Sequence, residues 1–343
     1  MSTSMRDVLH GTKPGRIQSV GLMQVIPLIL NMEEDNRFSA PDLTVSTSDY
    51  GTIHLKNSEA KPTIAPVGAT YLTKQHGQDH AIMGAETIDS NSEAVINTAA
   101  CVQSTQSGSI HSEKAELLIL PYGLRETAIK VREKKEYSKL WSAIEKFNKT
   151  VNVSGGSHLE YFVKKYTDTM DQFVAEFEIV PDQIGAIVLI DGIVHGVERA
   201  PNVEYWKGIW KALIRMCYGS QAIAVAEGKS TGKKASSFNH VPIDSSEVED
   251  LDDLEGALLE AEEKTQDLVA EIVRSVLDDN LEAKDSKTNQ VNSEISMKRT
   301  TMESDRFVGQ TMQDGECIVY ASMITKQNWQ ENAIWREAPA FVI

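Results

Sequence analysis

The densest cluster of polar side chains that could do chemistry lies between residues 83 and 93. Gly84 and Glu86 are followed there by Asp89 and Glu93, and the glycine indicates a loop. Carboxylates on a loop can bind the hydroxyl groups of a ligand or a metal ion. The alternative is a solvated turn, which the residue types alone favour.

Three other motifs fit a chemical site less well. The stretch from His76 to His80 offers three potential metal ligands, but no further Cys or His lies nearby, so ordinary turn chemistry is favoured. Gly228-Lys229-Ser230 resembles the end of a phosphate loop, but Ile223 stands where the first glycine must be, so a linker is favoured. His195 lies between apolar residues, which is typical of a structural strand histidine rather than a base.

The chain carries no familiar catalytic signature. GxSxG, HExxH and GxGxxG do not occur, and no cysteine has a histidine in a recognisable family arrangement. The sequence therefore predicts no catalytic residue, no metal site and no cofactor. A protein without enzymatic activity is favoured over an enzyme.

The negative charge of the chain is concentrated in one segment. The formal net charge is −16, and residues 244–285 contribute 16 acidic and 3 basic side chains, which leaves −3 for the rest. Sequence-independent binding of nucleic acid depends on clustered Lys and Arg. The one dense cluster, Lys130 to Lys139, is interrupted by Glu133 and Glu136. We therefore expect no nucleic-acid partner.

Cysteine content and hydropathy predict a cytoplasmic protein. Three widely spaced cysteines fit neither a disulfide framework nor a CxxC metal spacing, which indicates a reducing compartment. Residues 1–21 lack the apolar core of a secretory signal, and no apolar stretch approaches the roughly 20 residues that span a bilayer. No membrane association is expected.

Strands dominate the N-terminal half, and two hairpins follow. Residues 31–122 are rich in Thr, Ser, Asn and Gly and contain short strand-like pieces, which predicts mostly antiparallel sheet. Apolar runs flank Asp191-Gly192 and Asp314-Gly315, and each pattern is typical of a hairpin. We expect the two hairpins to join one sheet.

Helices are predicted in the middle of the chain. Apolar residues from Leu159 to Phe177 form one stripe at helical spacing, and Ser157 and Glu160 are placed as a capping box. A further helix is predicted from about Val203 to Tyr218.

The acidic segment predicts an amphipathic helix. Leu, Ile and Val recur every three or four positions from Leu251 to Leu281, and acidic residues occupy the other face. Either the core of the chain or another protein must cover this apolar stripe. Polar stretches at 229–246 and 284–303 predict flexible linkers that would let the helix contact a protein partner or a second copy of the chain.

Together these elements predict an α+β fold with an antiparallel β-rich core, packed helices and an acidic amphipathic helical insertion. An extended arm is expected at residues 1–20 and the core at 21–228 and 304–343. The linkers and the acidic helical insertion are expected at 229–303.

The middle of the chain resembles a known family. The run from Trp141 to Phe177, then Val180-Pro181-Asp182-Gln183-Ile184-Gly185-Ala186 and the Asp191-Gly192 turn, is similar to the ADP-ribosylglycohydrolase-and-rhodanese-phosphatase-associated domain family. The hairpin that starts at Phe307-Val308-Gly309 is similar to the C-terminal strand pair of that family.

The resemblance also suggests ligand-binding residues. Gly84, Glu86 and Asn97 correspond to parts of the family's polar signature, but its Lys-Gln-Asn element is missing. The family is associated with ADP-ribose enzymes and prokaryotic conflict systems, which implies a prokaryotic or phage protein in the cytoplasm, or in the virion.

Two functions follow from this resemblance. A phosphate ligand would require the missing cation, so the favoured hypothesis is a non-enzymatic binding or assembly protein that acts through protein–protein contacts. The alternative is a protein that binds or processes an ADP-ribose-like nucleotide near Gly84 to Asn97.

Overall fold

The computed structural model describes residues 3–49, 51–72, 79–104, 114–132, 136–230, 248 and 250–329. Within them the chain has an α+β fold in which the strands pair in antiparallel fashion, as predicted. In chain order, the strands are β1 (Thr3–Ser4), β2 (Thr12–Pro14), β3 (Gln18–Val20), β4 (Met23–Leu30), β5 (Leu43–Asp49), β6 (Thr52–Asn57), β7 (Thr63–Ala65), β8 (Ala69–Leu72), β9 (His80–Ala81), β10 (Glu86–Ile88), β11 (Ser92–Ile96), β12 (Ala100–Cys101), β13 (Glu116–Ile119), β14 (Gln183–Ile190), β15 (Ile193–Arg199), β16 (Asn280–Gln290), β17 (Ser296–Glu303), β18 (Phe307–Asp314) and β19 (Cys317–Thr325).

The helices lie between these strands in chain order. The helices are α1 (Met5–Val8), α2 (Tyr122–Val131), α3 (Tyr137–Thr150), α4 (Leu159–Glu176), α5 (Val203–Ala212), α6 (Gly219–Ser230) and α7 (Leu251–Leu277), with a π-helix at Leu213–Tyr218 between α5 and α6.

Ten strands form one large antiparallel sheet. Its order is β1-β16-β17-β18-β19-β15-β14-β4-β2, and β3 also pairs with β4. The interior strand β14 is buried along its whole length. Alternate residues of a strand face opposite sides of the sheet, and Val188 packs in one apolar cluster whereas Ile187 packs in another. Burial on both faces explains why β14 is apolar at almost every position.

Both predicted hairpins belong to this main sheet. β14 and β15 are joined by Asp191 and Gly192, whose φ angles of 55° and 75° are those of a type I′ turn. Gly315, with a φ of 58°, lies in the turn between β18 and β19. Because β15 pairs with β19, the prediction that the two hairpins join one sheet is confirmed.

Three smaller antiparallel sheets make up much of the N-terminal half, which confirms the prediction for residues 31–122. Their orders are β10-β7, β11-β6-β5 and β12-β9-β8-β13. Val45, Ile53 and Leu55 are among the apolar residues that pack between them. The loop between β9 and β10, which contains Gly84, contacts the main sheet, and Glu86 is the first residue of β10.

The helix α4 forms where the apolar stripe predicts it. Leu159, Phe162 and Met170 are buried in its apolar face. The predicted capping box is wrong, because the N-cap is His158 and no side chain caps the helix. The hydroxyl of Ser157 instead hydrogen-bonds the hydroxyl of Ser104 at 2.6 Å, so a tertiary hydrogen bond has replaced the local one.

The helix predicted at 203–218 is longer than expected. It begins after Asn202, whose side chain accepts a hydrogen bond from the Tyr205 amide at 2.8 Å. The helix continues through the π-helical segment into α6 and ends at Ser230. Gly228-Lys229-Ser230 is therefore helical rather than part of a linker, and residues 231–246 of that predicted linker lie outside the described residues.

The acidic helix α7 ends at Leu277, before the predicted end at Leu281, because Leu281 lies in β16. The helix has two unlike halves. Val269 and Val276 are buried and pack with Met5 and Val8 of the N-terminal segment. The first turns, from Leu251 onward, are exposed instead. No helix in the described part of the chain combines the length and apolarity that crossing a membrane requires.

The polar stretch predicted as a second linker, 284–303, is structured. It forms most of β16 and all of β17 in the main sheet. The prediction failed because β17 buries Arg299, Thr300 and Thr301, whose polarity hides the usual strand pattern. The residues predicted as an extended arm also pack on the core from Thr3 onward, through β1 and α1.

Candidate functional site

A row of polar side chains crosses five adjacent strands of the main sheet. Asp285 in β16 pairs with Thr301 in β17, which pairs with Gln310 in β18. Gln310 pairs with Ser322 in β19, which pairs with Glu198 in β15. Directly paired residues of an antiparallel sheet project from the same face. The five side chains therefore form one line, called the polar row below.

The polar row depends on hydrogen bonds, because all of it except Asp285 is buried. Burying a polar group without a partner costs free energy. The helix α2 and the residue after it supply a guanidinium at each end of the row. Arg125 contacts Glu198 at the inner end, and Arg132 contacts Asp285 at the outer end.

The inner end is a closed charge network around Glu198. Arg125 Nη1 donates to Glu198 Oε1 at 2.8 Å, and the Tyr218 hydroxyl donates to the same oxygen at 2.7 Å. The Ser322 hydroxyl donates to Glu198 Oε2 at 2.5 Å. Arg125 also donates to the Ser322 hydroxyl and, at 3.4 Å, to Cys217 Sγ. The carboxylate is thus buried with its charge compensated.

The π-helix brings Cys217 and Tyr218 to this network. A β-carbon on Gly196 would lie 1.9 Å from the Tyr218 hydroxyl, so the glycine in β15 makes room for that side chain. Burial raises the pKa of Tyr218 well above its ordinary value and the pKa of Cys217 to about 12. Both groups stay protonated at neutral pH, and the inner end offers no ready nucleophile.

His195 lies near this network and is buried. Burial lowers its pKa to about 4, and its Nδ1 donates to the Ile193 carbonyl at 2.8 Å. The ring centroid lies 4.9 Å from that of Tyr122. This geometry agrees with the interpretation of His195 as a strand histidine rather than a base.

The outer end of the polar row is a chain of hydrogen bonds. Gln310 Nε2 donates to the Thr301 hydroxyl at 3.2 Å, which donates to Asp285 Oδ1 at 3.1 Å. Arg132 binds the other oxygen of Asp285. Gln310 Oε1 accepts a hydrogen bond from the Ala85 amide at 2.8 Å. The last bond ties the row to the loop that the sequence singled out.

Gly84 and Glu86 meet the outer end of the row at Arg299. Arg299 lies in β17 two residues before Thr301, donates to the Ala85 carbonyl at 3.0 Å and forms an ion pair with Glu86. A β-carbon on Gly84 would lie 3.1 Å from Arg299 Nη1 and 3.3 Å from Gln310 Oε1. The absence of a side chain at Gly84 therefore allows the loop to approach both groups.

Asn97, the third candidate ligand residue, lies in another part of the fold. It follows β11 in the three-stranded sheet and is exposed. The Thr52 hydroxyl donates to Asn97 Oδ1 at 3.3 Å. The structure thus brings Gly84 and Glu86 together at the polar row and places Asn97 next to a different sheet.

No pattern in the sequence predicts that Arg299 lies here. It lies 213 positions from Glu86 in the chain, and only the pairing of β17 within the main sheet brings the two together. The two arginines at the outer end are each paired with a carboxylate, Arg299 with Glu86 and Arg132 with Asp285. An anionic ligand would have to displace one of these carboxylates.

An open cleft of about 420 Å³ lies between α2 and the ends of β17 and β19. Its charges are balanced, since Lys326 pairs with Glu303 at 2.6 Å and Lys130 pairs with Glu126. The cleft is lined by Glu126, Lys130, Glu303, Lys326, Gln327 and Asn328. It offers polar contacts but no surplus of either charge.

The weaker metal candidate is only partly described. His76 and Gln78 lie outside the described residues, whereas Asp79 accepts a hydrogen bond from Gln103 Nε2 at 2.6 Å and His80 is buried in β9. Among the described residues, no group of three or more His, Cys, Asp or Glu side chains could hold a metal ion.

Comparison with known proteins gives one match. The model of the ARPP-1 family, described as the ARG and Rhodanese-Phosphatase-superfamily-associated Protein domain, matches residues 12–267. No curated protein and no solved structure matches the chain. The matched region includes α2, β15 and the π-helix and ends before β16. The likeness seen at Phe307-Val308-Gly309 thus lies beyond it.

Proposed function

The chain belongs to the ARPP-1 family, and we propose that it is a non-enzymatic assembly protein that binds another protein through the first turns of α7. The observation that carries this proposal is the exposure of Leu251, Leu254 and Leu258, whose relative accessibilities are 81%, 37% and 51%. Their spacing puts them on one face of the helix.

The exposed leucines continue a stripe that is buried further along the same helix. Val269 and Val276 pack into the core, whereas the stripe from Leu251 to Leu258 extends beyond it. A contiguous exposed apolar face is typical of a protein interaction site. Asp250 caps the helix by accepting a hydrogen bond from the Asp253 amide at 2.9 Å, so the exposed turns have their own N-terminal stabilisation.

The charge of these turns selects the chemistry of the partner. Residues 250–263 contain seven acidic side chains and no basic one. Two copies of this face would place like charges close together. We therefore propose a partner with a basic amphipathic helix. Its apolar face would cover the stripe, and its lysines or arginines would pair with the acidic side chains beside the stripe.

A designed peptide can test this recognition directly. The probe is a labelled amphipathic peptide with leucines at helical spacing and lysines elsewhere, and its control is a scrambled peptide of the same composition. We expect the triple variant Leu251→Ser, Leu254→Ser, Leu258→Ser to bind the probe at least tenfold more weakly in fluorescence anisotropy, with unchanged thermal stability.

The matched control protein changes exposed apolar residues elsewhere. Met32→Ser and Val95→Ser remove side chains of comparable exposure and should leave the affinity unchanged. Equal binding by the triple variant, or equal binding of the scrambled peptide, would contradict the proposal.

Arg299 favours a second candidate function, the binding or processing of an ADP-ribose-like nucleotide at Gly84 and Glu86. Arg299 could bind a phosphate group, which is the role of the cation missing from the family signature. Its ion pair with Glu86 opposes that role, because a phosphate must compete with the carboxylate. On this account we expect ADP-ribose to bind weakly or not at all.

Calorimetry with ADP-ribose distinguishes the two candidates. If the nucleotide uses Arg299, Glu86→Gln should increase its affinity by removing the competing charge, and Arg299→Met should abolish binding. Lys298→Met is the matched control, since Lys298 is the exposed neighbour in β17. Submicromolar binding by the unmodified chain that is lost in Arg299→Met would promote the nucleotide function over the assembly function.

The family association and the cysteine usage support the cellular setting that we propose. We place the protein in the cytoplasm of a prokaryote or of a phage-infected host.

A further inference from the structure

The strand β16 presents a long edge of the main sheet. Its inner side pairs with β17 from Glu282 to Gln290, whereas on its outer side β1 covers only Asn280 and Leu281. Residues 282–288 are all exposed. Among the described residues, no other strand pairs with the outer side of residues 282–290. Such an edge is a template for pairing with another strand.

From the charge pattern of this edge we infer that β16 pairs antiparallel with β16 of a second copy of the chain. In a two-fold antiparallel pair, one residue lies opposite itself and its neighbours lie opposite each other in reverse order. With Ser286 at the centre, Asp285 of each copy lies opposite Lys287 of the other. Lys284 then lies opposite Thr288, and Glu282 opposite Gln290.

Neighbouring registers are worse. Centring the pair on Lys284, Asp285 or Lys287 sets two identical charges directly opposite each other, which is destabilising. The Ser286 register avoids every like-charge pair and forms two ion pairs. Its three central positions, 285–287, lie beyond the irregularity between Ala283 and Asp285, so they are in the regular part of the strand.

The side chains of the central pair are available for this contact. The Asp285 side chain remains 49% exposed although it binds Arg132, and Lys287 is exposed. The opposing interpretation is that charges on an edge strand prevent self-pairing. The register and the charges can each be tested.

A disulfide across the two-fold axis tests the register. In a Cys317→Ser background, which removes the exposed native thiol, Ser286→Cys should give a covalent dimer on mild oxidation with diamide. Cα atoms of opposed residues lie within the 4.4–6.8 Å that a disulfide requires. The matched control is Thr288→Cys, whose two copies would be about 14 Å apart at a rise of about 3.4 Å per residue, and it should stay monomeric on a denaturing gel.

The charge pairing is tested by sedimentation velocity. In Lys287→Asp, the new aspartate of each copy lies opposite Asp285 of the other copy. The two like-charge pairs should weaken the dimer at least tenfold. Lys298→Asp makes the same charge change one strand further in and should leave it unchanged. A chain that stays monomeric at 100 μM overturns the inference. So does a dimer that neither Ser286→Cys cross-links nor Lys287→Asp weakens, because it forms elsewhere.

Discussion

Replacing Arg125 by methionine should strongly destabilise the fold. The substitution leaves the Glu198 carboxylate buried without its counter-ion, since the side chains of both residues are only 1–2% exposed. Breaking a buried ion pair by removing one partner costs about 3–5 kcal/mol. Glu198 keeps its hydrogen bonds from Tyr218 and Ser322, so we expect a loss of about 3 kcal/mol, at the lower end of that range.

A double-mutant cycle isolates the charge from the packing. In Arg125→Met with Glu198→Gln both charges are gone, and we expect a total loss of about 1–2 kcal/mol, well below the sum of the single losses. The assay is urea unfolding followed by tryptophan fluorescence. Lys149→Met is the control, because its ion pair with Glu145 is exposed on both sides, and it should not move the midpoint. Additive losses, or a loss below about 1 kcal/mol for Arg125→Met, would refute the reasoning.

Three further predictions follow from burial. Val276→Ala should lower the free energy of unfolding by about 2 kcal/mol, whereas Leu258→Ala should leave it unchanged, which urea unfolding can measure. One thiol per chain, that of exposed Cys317, should react with a disulfide reagent at pH 8 in the native state, because burial raises the pKa of Cys101 to about 11 and that of Cys217 to about 12. Burial lowers the pKa of His195 to about 4 from 6.5, so the unfolded state binds the proton more readily. Stability should therefore fall as the pH drops from about 6.5 to about 4, by up to about 3 kcal/mol, and His195→Gln should remove that part of the slope in unfolding curves.

The parts of the fold that the sequence predicted are those with strong local signals. The β14–β15 hairpin combines apolar strands with an Asp-Gly turn, and α4 has an apolar stripe at helical spacing. The strands β16 and β17 lack such a signal. Neighbouring strands of the sheet bury residues such as Arg299 and Thr301. No local pattern of apolar residues predicts that burial.

The same limit applies to the candidate site. Gly84 and Glu86 were identified because a glycine beside carboxylates is a local pattern. Their partners Arg299 and Gln310 lie more than 200 positions away, so no motif spacing could reveal them. The cation beside Glu86 thus comes from β17, a strand that the sequence alone predicts to be part of a linker.

The polar row also connects two parts of the chain with different relations to the family. Glu198 and its partner Arg125 lie inside the region that the family model matches. The four remaining members of the polar row lie after residue 267. Ser322 nevertheless donates a hydrogen bond to Glu198, and β19 covers the edge of β15. The strands β16–β19 thus belong to the same sheet as β14 and β15. Because they contribute Arg299 and Asp285, any ligand recognition at the outer end depends on residues that the family match does not include.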